Sequence, residues 1–351
     1  MLIIGMDVHL SDTMLLWLDT ETGETSEPYA HPTSELAEHV AGLPGMAKVA
    51  VMETGSQSAF LARQLGTLGC EVHVVDAFKT RRWFEGMYGL KKTDKIDARG
   101  LALAWADGGL RRAEVWVANA EQQALREWTR ARETFVATGA RYRGQIRQLL
   151  ARENRRCPFA DLLGVRAQAW LDDVAPSLPA ASQQVLAIYR RQIAQLAEEV
   201  KALNAAIAAA TAGDEDAQLL QTMPGIGEPM AAAIKAEIGT FHRFASANQL
   251  RGYTGLVPRV VQSGERLRYG PLTRAGNPRL RRLMILAAQH FVQSRAGRES
   301  ALYRWYLAQV FRHGRNPAKV ALARRLTTIL FAMLRDRTAF VLDNSPVPKA
   351  A

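Results

Sequence analysis

Leu2-Ile3-Ile4-Gly5-Met6-Asp7 is an apolar run that stops on an acid. Short apolar runs bounded by polar residues fit strands buried on both faces of a sheet. Lys48-Val49-Ala50-Val51-Met52-Glu53 repeats the pattern, again with an acid at its end. Further strands are predicted over 12–18 and 71–75, and helices over 33–42, 57–68 and 94–106. Two successive strands followed by strand–helix–strand units predict a mixed sheet with helices on its faces. Asp7 and Glu53 then fall at carboxyl ends of strands, where open α/β sheets usually carry their chemistry. Asp94 and Asp97 open the helix at 94–106 and, three apart, share one helical face. Each acid alone has a plain structural reading: Asp7 as a turn cap, Asp94 as a helix N-cap with Asp97 in the first turn. Together they carry more information. Four carboxylates converging from distant segments repel unless divalent cations lie between them, and two-metal phosphoryl-transfer sites are built that way. Mg2+ (or Mn2+) suits such donors, because it is hard and keeps waters and phosphate oxygens as further ligands.

Charge is divided unevenly along the 351 residues. Residues 1–240 carry 25 Lys and Arg against 30 Asp and Glu, whereas residues 241–351 carry 20 against 4, and 18 of those 20 are Arg. Arginine forks match phosphate geometry and stack on bases, so the last third reads as a nucleic-acid surface. A generic basic domain is the plain alternative. The length allows two or three domains with their own cores, and 48% apolar content excludes wholesale disorder. Two cysteines, Cys70 and Cys157, exclude a disulfide framework, and no Cys/His cluster has zinc-ligand spacing. A reducing, cytoplasmic setting fits. The N-terminus lacks the basic segment of a signal peptide, and no uncharged apolar run reaches the ~18 residues of a membrane span.

Beyond the first hundred residues the pattern turns helical. Residues 120–156 place Leu125, Trp128, Phe135, Ile146 and Leu149 among charged neighbours; a Pro-containing stretch, 157–180, interrupts, and an Ala- and Gln-rich helix resumes over 181–212. Two long helices with a break predict an antiparallel arm or coiled-coil spacer, with an apolar stripe that suits self-association. Met223-Pro224-Gly225-Ile226-Gly227 then precedes an Ala-rich helix at 229–238. A Gly-x-Gly turn between short helices leaves free backbone N–H groups suited to a phosphate. It resembles a helix-hairpin-helix, with a tight interhelical turn as the bland alternative. Helices predicted at 278–295, 299–312 and 317–336 mix Leu, Ile and Phe with spaced arginines, including Arg279 and Arg282. The fold class is therefore α/β followed by an all-α remainder.

Ser263 lies in Pro258-Arg259-Val260-Val261-Gln262-Ser263-Gly264-Glu265-Arg266-Leu267-Arg268. Ser-Gly is a common turn dipeptide, but Arg259, Arg266, Arg268 and Arg274 could surround a phosphodiester and neutralise its transition state. No His follows within twenty residues. Activation of a serine nucleophile here calls for a metal or a distant carboxylate rather than a local Ser–His pair.

The segments Gly5-Met6-Asp7-Val8-His9, Met52-Glu53-Thr54-Gly55 and Lys92-Thr93-Asp94-Lys95-Ile96-Asp97-Ala98 resemble the DEDD catalytic domain of insertion-sequence-110 family transposases, relatives of the Piv DNA invertase. Met223-Pro224-Gly225-Ile226-Gly227, Gly255-Leu256-Val257-Pro258-Arg259, Ser263-Gly264 and Arg274-Ala275-Gly276-Asn277-Pro278 resemble that family's second domain, in the same order. The resemblance implies a ribonuclease-H-like domain akin to Holliday-junction resolvases over 1–118, a helical coiled-coil arm over 119–215, and a helical, serine-containing transposase domain over 216–351. It implies Asp7, Glu53, Asp94 and Asp97 as metal-binding acids and Ser263 as the nucleophile of a covalent phosphoserine link. Gly225, Gly227, Arg259, Arg266, Arg268, Arg274, Arg279 and Arg282 are the expected nucleic-acid contacts. It also implies a structured bridge RNA pairing with donor and target DNA, while the apolar stripe of the arm points to a homo-oligomer, dimer or tetramer. In place of the family's usual glycine-rich run after the serine stands Gly264-Glu265, whose acid weakens the local positive field. A recombinase is the leading expectation. The alternatives are a metal-dependent junction nuclease using the same acids, a Piv-like site-specific invertase, and a nucleic-acid-binding protein without chemistry.

Overall fold

The computed structural model describes residues 1–45, 47–88, 94–263, 266–273 and 275–342. Within these ranges the side chains of 87–88, 94–96, 259–263, 266–269 and 271 are outside the description. The chain divides into two compact units, 1–121 and 122–351.

The first unit is mixed α/β. Its strands are β1 (Leu2–Val8), β2 (Asp12–Asp19), β3 (Tyr29–Pro32), β4 (Lys48–Glu53) and β5 (Glu71–Val75). Its helices are α1 (Leu36–Gly42), α2 (Ser58–Thr67), α3 (Ala77–Tyr88) and α4 (Asp94–Ala106). The five-stranded sheet has the order β3-β2-β1-β4-β5. β1 and β2 are antiparallel, β2 and β3 antiparallel, and β1, β4 and β5 parallel. Each face has its own core. Ile4, Met6, Leu15, Ala50 and Met52 pack on Leu36 of α1 and Leu61 of α2. Ile3, Leu16, Val49 and Val51 pack on Ala98, Leu101 and Trp105 of α4. This alternation is the period-2 consequence of pleating, and double-sided burial explains the unbroken apolar runs of β1 and β4.

The second unit begins with α5 (Ala120–Arg152), α6 (Val165–Val174) and α7 (Ala180–Thr211). α5 and α7 run antiparallel. Ile146 and Leu150 of α5 share a cluster with Leu186 and Ile193 of α7, whereas Leu125, at the other end of α5, meets Ile207. At 33 residues α5 is roughly 50 Å long. α6 occupies the Pro-containing interruption, where Leu171 is buried in the same cluster as Ile146.

There follow α8 (Glu215–Gln221), α9 (Glu228–Ile238), α10 (Ala247–Thr254), β6 (Pro258–Ser263), β7 (Arg266–Leu272), α11 (Pro278–Gln293), α12 (Arg295–Glu299), α13 (Ala301–His313) and α14 (Arg315–Asp336). One core gathers Ile234, Leu250, Met284, Phe291, Leu322 and Leu330 from four of these helices. The expectation of an all-α C-terminal part is corrected here, because β6 and β7 form an antiparallel hairpin. Val260, Val261, Leu267 and Tyr269 alternate too briefly among arginines and polar residues to stand out as strands, and cross-strand pairing supplies what propensity does not. Among the described residues no helix is long and apolar enough to cross a membrane.

Candidate functional site

Register brings Asp7 and Glu53 together. Met6 pairs with Met52 across parallel strands β1 and β4, so the two acids are the next residues on neighbouring strands. By alternation both lie on the α4 face of the sheet, with Ile3, Val49 and Val51. Helix α4 meets β1 at Gly5, where an added Cβ would collide with the Ala98 carbonyl and stand 2.8 Å from the Ala102 nitrogen. Asp97, one residue before this contact, is buried at 4% exposure. Asp94 is the first residue of α4; its side chain is outside the described residues.

The loop after β1 is tied down. The Thr33 hydroxyl donates to the His9 carbonyl (2.9 Å) and meets the Thr13 hydroxyl (2.9 Å). Beyond β4, Ser58 accepts from the Gly55 amide at 3.2 Å, and Gln57 donates to the Leu10 carbonyl at 3.4 Å. His9 Nε2 lies 3.4 Å from Asp7 Oδ2, with the Asp7 side chain only 16% exposed. His9 is a member of this corner that the four-acid reading misses. Its position two residues after Asp7, on the same side of the chain, is the signal that finds it.

Asp7, Glu53 and Asp97 offer hard oxygen donors of the kind a divalent cation takes. Among the described residues, no group of three or more His, Cys, Asp and Glu side chains stands close enough to hold a metal. The fourth acid, Asp94, is the one that the described side chains do not include.

In the second unit Ser263 ends β6 and pairs with Arg266 of β7. The side chains of Ser263, Arg259, Arg266 and Arg268, and all of Gly264, Glu265 and Arg274, are outside the described residues. Two glycines shape the base of the hairpin. Gly255 has φ +67° and Gly276 φ +89°, and a Cβ at Gly276 would stand 2.5 Å from the Tyr253 carbonyl. Glycine in both places lets the segments entering and leaving the hairpin cross backbone to backbone, and the Asn277 amide donates to the Tyr253 carbonyl at 2.6 Å.

Beneath that crossing lies a polar network with no counterpart in the sequence reading. Arg130 of α5 donates to both Glu237 carboxylate oxygens (2.9 and 3.1 Å), Asn277 donates to the same carboxylate (2.8 Å), and the Tyr253 hydroxyl donates to the Glu237 carbonyl (3.2 Å). Burial pushes the Glu237 carboxyl up. Hydrogen bonds from Arg130 and Asn277 and the charges of Arg130 and Arg126 outweigh it and hold the carboxyl below its ordinary value. Asn277 also caps α11, accepting from the Arg279 and Leu280 amides at 3.0 Å.

The remaining expected contacts differ from one another. Gly225, at φ +90°, is pressed on α11, where a Cβ would stand 2.6 Å from the Phe291 nitrogen, so packing accounts for this glycine. Gly227 caps α9 and has open space at its Cβ position. Arg279 and Arg282 both engage the Glu133 carboxylate of α5 while staying substantially exposed.

A family model described as "Transposase IS116/IS110/IS902 family" matches residues 217–313, and a DEDD model of the same group, described as "Transposase", matches residues 4–154. A probable family 20 transposase from Pseudomonas aeruginosa is 29% identical over 296 residues, covering 82% of this chain and 84% of its own length. The transposase for insertion sequence element IS1328 from Yersinia enterocolitica is 25% identical over 292 residues, covering 83% and 85%. The transposase for insertion sequence element IS1111A from Coxiella burnetii is 27% identical over 256 residues, covering 71% and 68%.

Proposed function

This chain belongs to the IS110 family of transposases, and from that premise we propose that it cuts and rejoins DNA through a phosphoserine link at Ser263. Asp7, Glu53, Asp94 and Asp97 serve as the metal-binding acids, in an N-terminal domain of ribonuclease-H-like type over 1–118. The observation that carries this reading is the register that sets Asp7 beside Glu53 on the sheet face covered by α4. The sheet order β3-β2-β1-β4-β5, antiparallel then parallel, is compatible with that domain type.

A bound Mg2+ or Mn2+ supplies Lewis-acid stabilisation of charge on the phosphate oxygens. The chain's own groups do the rest. The Ser263 oxygen forms the new bond to phosphorus, the bond to the leaving sugar oxygen breaks, the hydroxyl proton passes to a carboxylate, and the leaving oxygen takes up a proton. One diester replaces another, so rejoining needs no high-energy cofactor. The His9 imidazole stands beside the Asp7 carboxylate and helps to hold that acid in place.

Residues 119–215 act as the arm, where the antiparallel α5–α7 pair suits a homo-oligomer, and residues 216–351 as the serine-containing domain. Gly227 at the start of α9 and the arginines of the hairpin hold nucleic-acid backbone, and a structured bridge RNA supplies the sequence choice between donor and target DNA. With specificity carried by base pairing, the protein needs backbone contacts more than base contacts, which agrees with 20 basic against 4 acidic residues beyond 240. A metal-dependent nuclease is a second reading, favoured by the acids lying in a compact unit, 1–121, that lacks Ser263.

Mixing Ser263→Ala chains with Asp7→Asn chains tests whether the acids and the serine act together across two protomers. Recovery of strand exchange is expected if the serine of one protomer completes the acids of another. Cleavage by Ser263→Ala alone would remove the serine chemistry and leave the nuclease reading.

A further inference from the structure

At the foot of the β6–β7 hairpin the second unit holds a cavity of about 950 Å3. Its walls are largely apolar, with Leu256, Leu272 and Val320, and its charged groups are cationic: Arg251 from α10, and Arg324 and Arg325 from α14. Arg325 lies 4.8 Å over the ring of Trp305 of α13, giving one flat cationic–aromatic wall. Among the described residues none of the three guanidinium groups has a carboxylate partner. Burial lowers the Arg251 and Arg325 guanidinium values, and the charge of Arg324 lowers Arg251 further. Partly desolvated like charges held side by side cost free energy that an anion would offset. A second cavity of about 500 Å3, lined by Arg298, Arg315, Lys319 and Tyr303, shares Asn316 with the first.

We propose that the first cavity holds unpaired nucleotides of a nucleic-acid strand, a base against the Trp305–Arg325 wall and its phosphate between Arg251 and Arg324. The strand continues past Asn316 into the second cavity. Apolar walls with one aromatic face take a base with its edges stripped of pairing, which a duplex does not offer, and guanidinium planes stack on bases as rings do. Two basic cavities joined at one residue fit consecutive units of a polymer better than a single free nucleotide. The inference rests on the proposed recombinase function and deepens it: strand exchange must hold single-stranded ends, and this cavity adjoins the hairpin that carries Ser263.

The full-length protein is titrated with a short labelled oligothymidylate, with the same length as duplex, and with thymidine monophosphate as competitor. Trp305→Leu is expected to weaken single-strand binding about ten-fold. Arg251→Gln with Arg324→Gln is expected to lower the logarithmic salt slope by about one unit, with Arg324→Lys recovering part of it and duplex binding unchanged in every variant. Thermal melts confirm that each variant is folded, and the arginine pair decides the matter if Trp305→Leu is not. Equal losses on duplex and single strand would overturn the inference, as would displacement of the oligonucleotide by equimolar thymidine monophosphate. Loss of the Ser263–DNA link with single-strand preference intact would remove the recombinase reading alone. A Ser263–DNA link without that preference would remove this inference alone.

Discussion

Gly5 and Ala98 meet through their backbones, with no room for a Cβ between strand β1 and the Ala98 carbonyl of α4. That contact seats the helix bearing Asp97 two residues along β1 from Asp7. Any side chain at position 5 lifts the helix off the strand. Gly5→Ala is therefore expected to cost about 1–3 kcal/mol, the range for overpacking a filled core, because backbone rather than a flexible side chain opposes it. Thermal unfolding checks this, and a wild-type melting temperature would show that α4 is not fixed here.

Asp7→Asn, Glu53→Gln and Asp97→Asn remove a ligand charge while keeping shape. Each should lower strand cleavage by about 10²-fold or more, as loss of a positioned catalytic group does. Nucleic-acid affinity should change little, because the basic residues lie elsewhere in the chain. Cleavage at full rate in excess chelator would exclude a metal role for the acids.

Glu237 should make the second unit sensitive to acid. Its carboxyl is held below its ordinary value, so the folded state favours the charged form. Its stabilisation is present above the unfolded value of 4.5 and is lost as pH falls through the lower folded value. Glu237→Ala is expected to cost about 2–3 kcal/mol, less than the ~3–5 kcal/mol of a fully buried pair, because Arg130 keeps a third of its side chain exposed. Glu237→Gln should flatten the stability profile below that pH, which chemical denaturation across pH measures.

Glu133 competes for the arginines expected to grip nucleic acid. Arg279 and Arg282 both reach it, so Glu133→Gln should tighten binding several-fold by freeing two cations near the surface. Arg279→Ala should weaken binding evenly across unrelated sequences. If Glu133→Gln left affinity unchanged at low salt, the pair would be structural only.

The acid-ended strands and α4 were legible because local pattern settles them. Leu2–Met6 and Val49–Met52 are apolar without a break, and the helix predicted at 94–106 is α4 as observed. Gly5 inside β1 also carried a signal, since glycine within a strand often marks close backbone approach. β3 was not legible: its half-exposed Tyr29–Pro32 is an edge strand defined only by pairing with β2. The pattern passed over α3, where Lys79, Arg81 and Arg82 interrupt the apolar residues. The partners of Glu237 lie 107 residues before it at Arg130 and 40 after it at Asn277, and no local spacing encodes such a meeting. Arg251, Arg324 and Arg325 looked like any other surface arginines until α10 and α14 were packed together.

The central claim is the covalent link at Ser263, and trapping it is the direct measurement. The protein is incubated with Mg2+ and labelled plasmid carrying the element and its flanks, denatured, and the protein-bound label mapped to a peptide. Label on the peptide containing Ser263, absent with Ser263→Ala and with Asp7→Asn, is the expected result. Cut DNA with no protein-bound label, or label that survives Ser263→Ala, would contradict it.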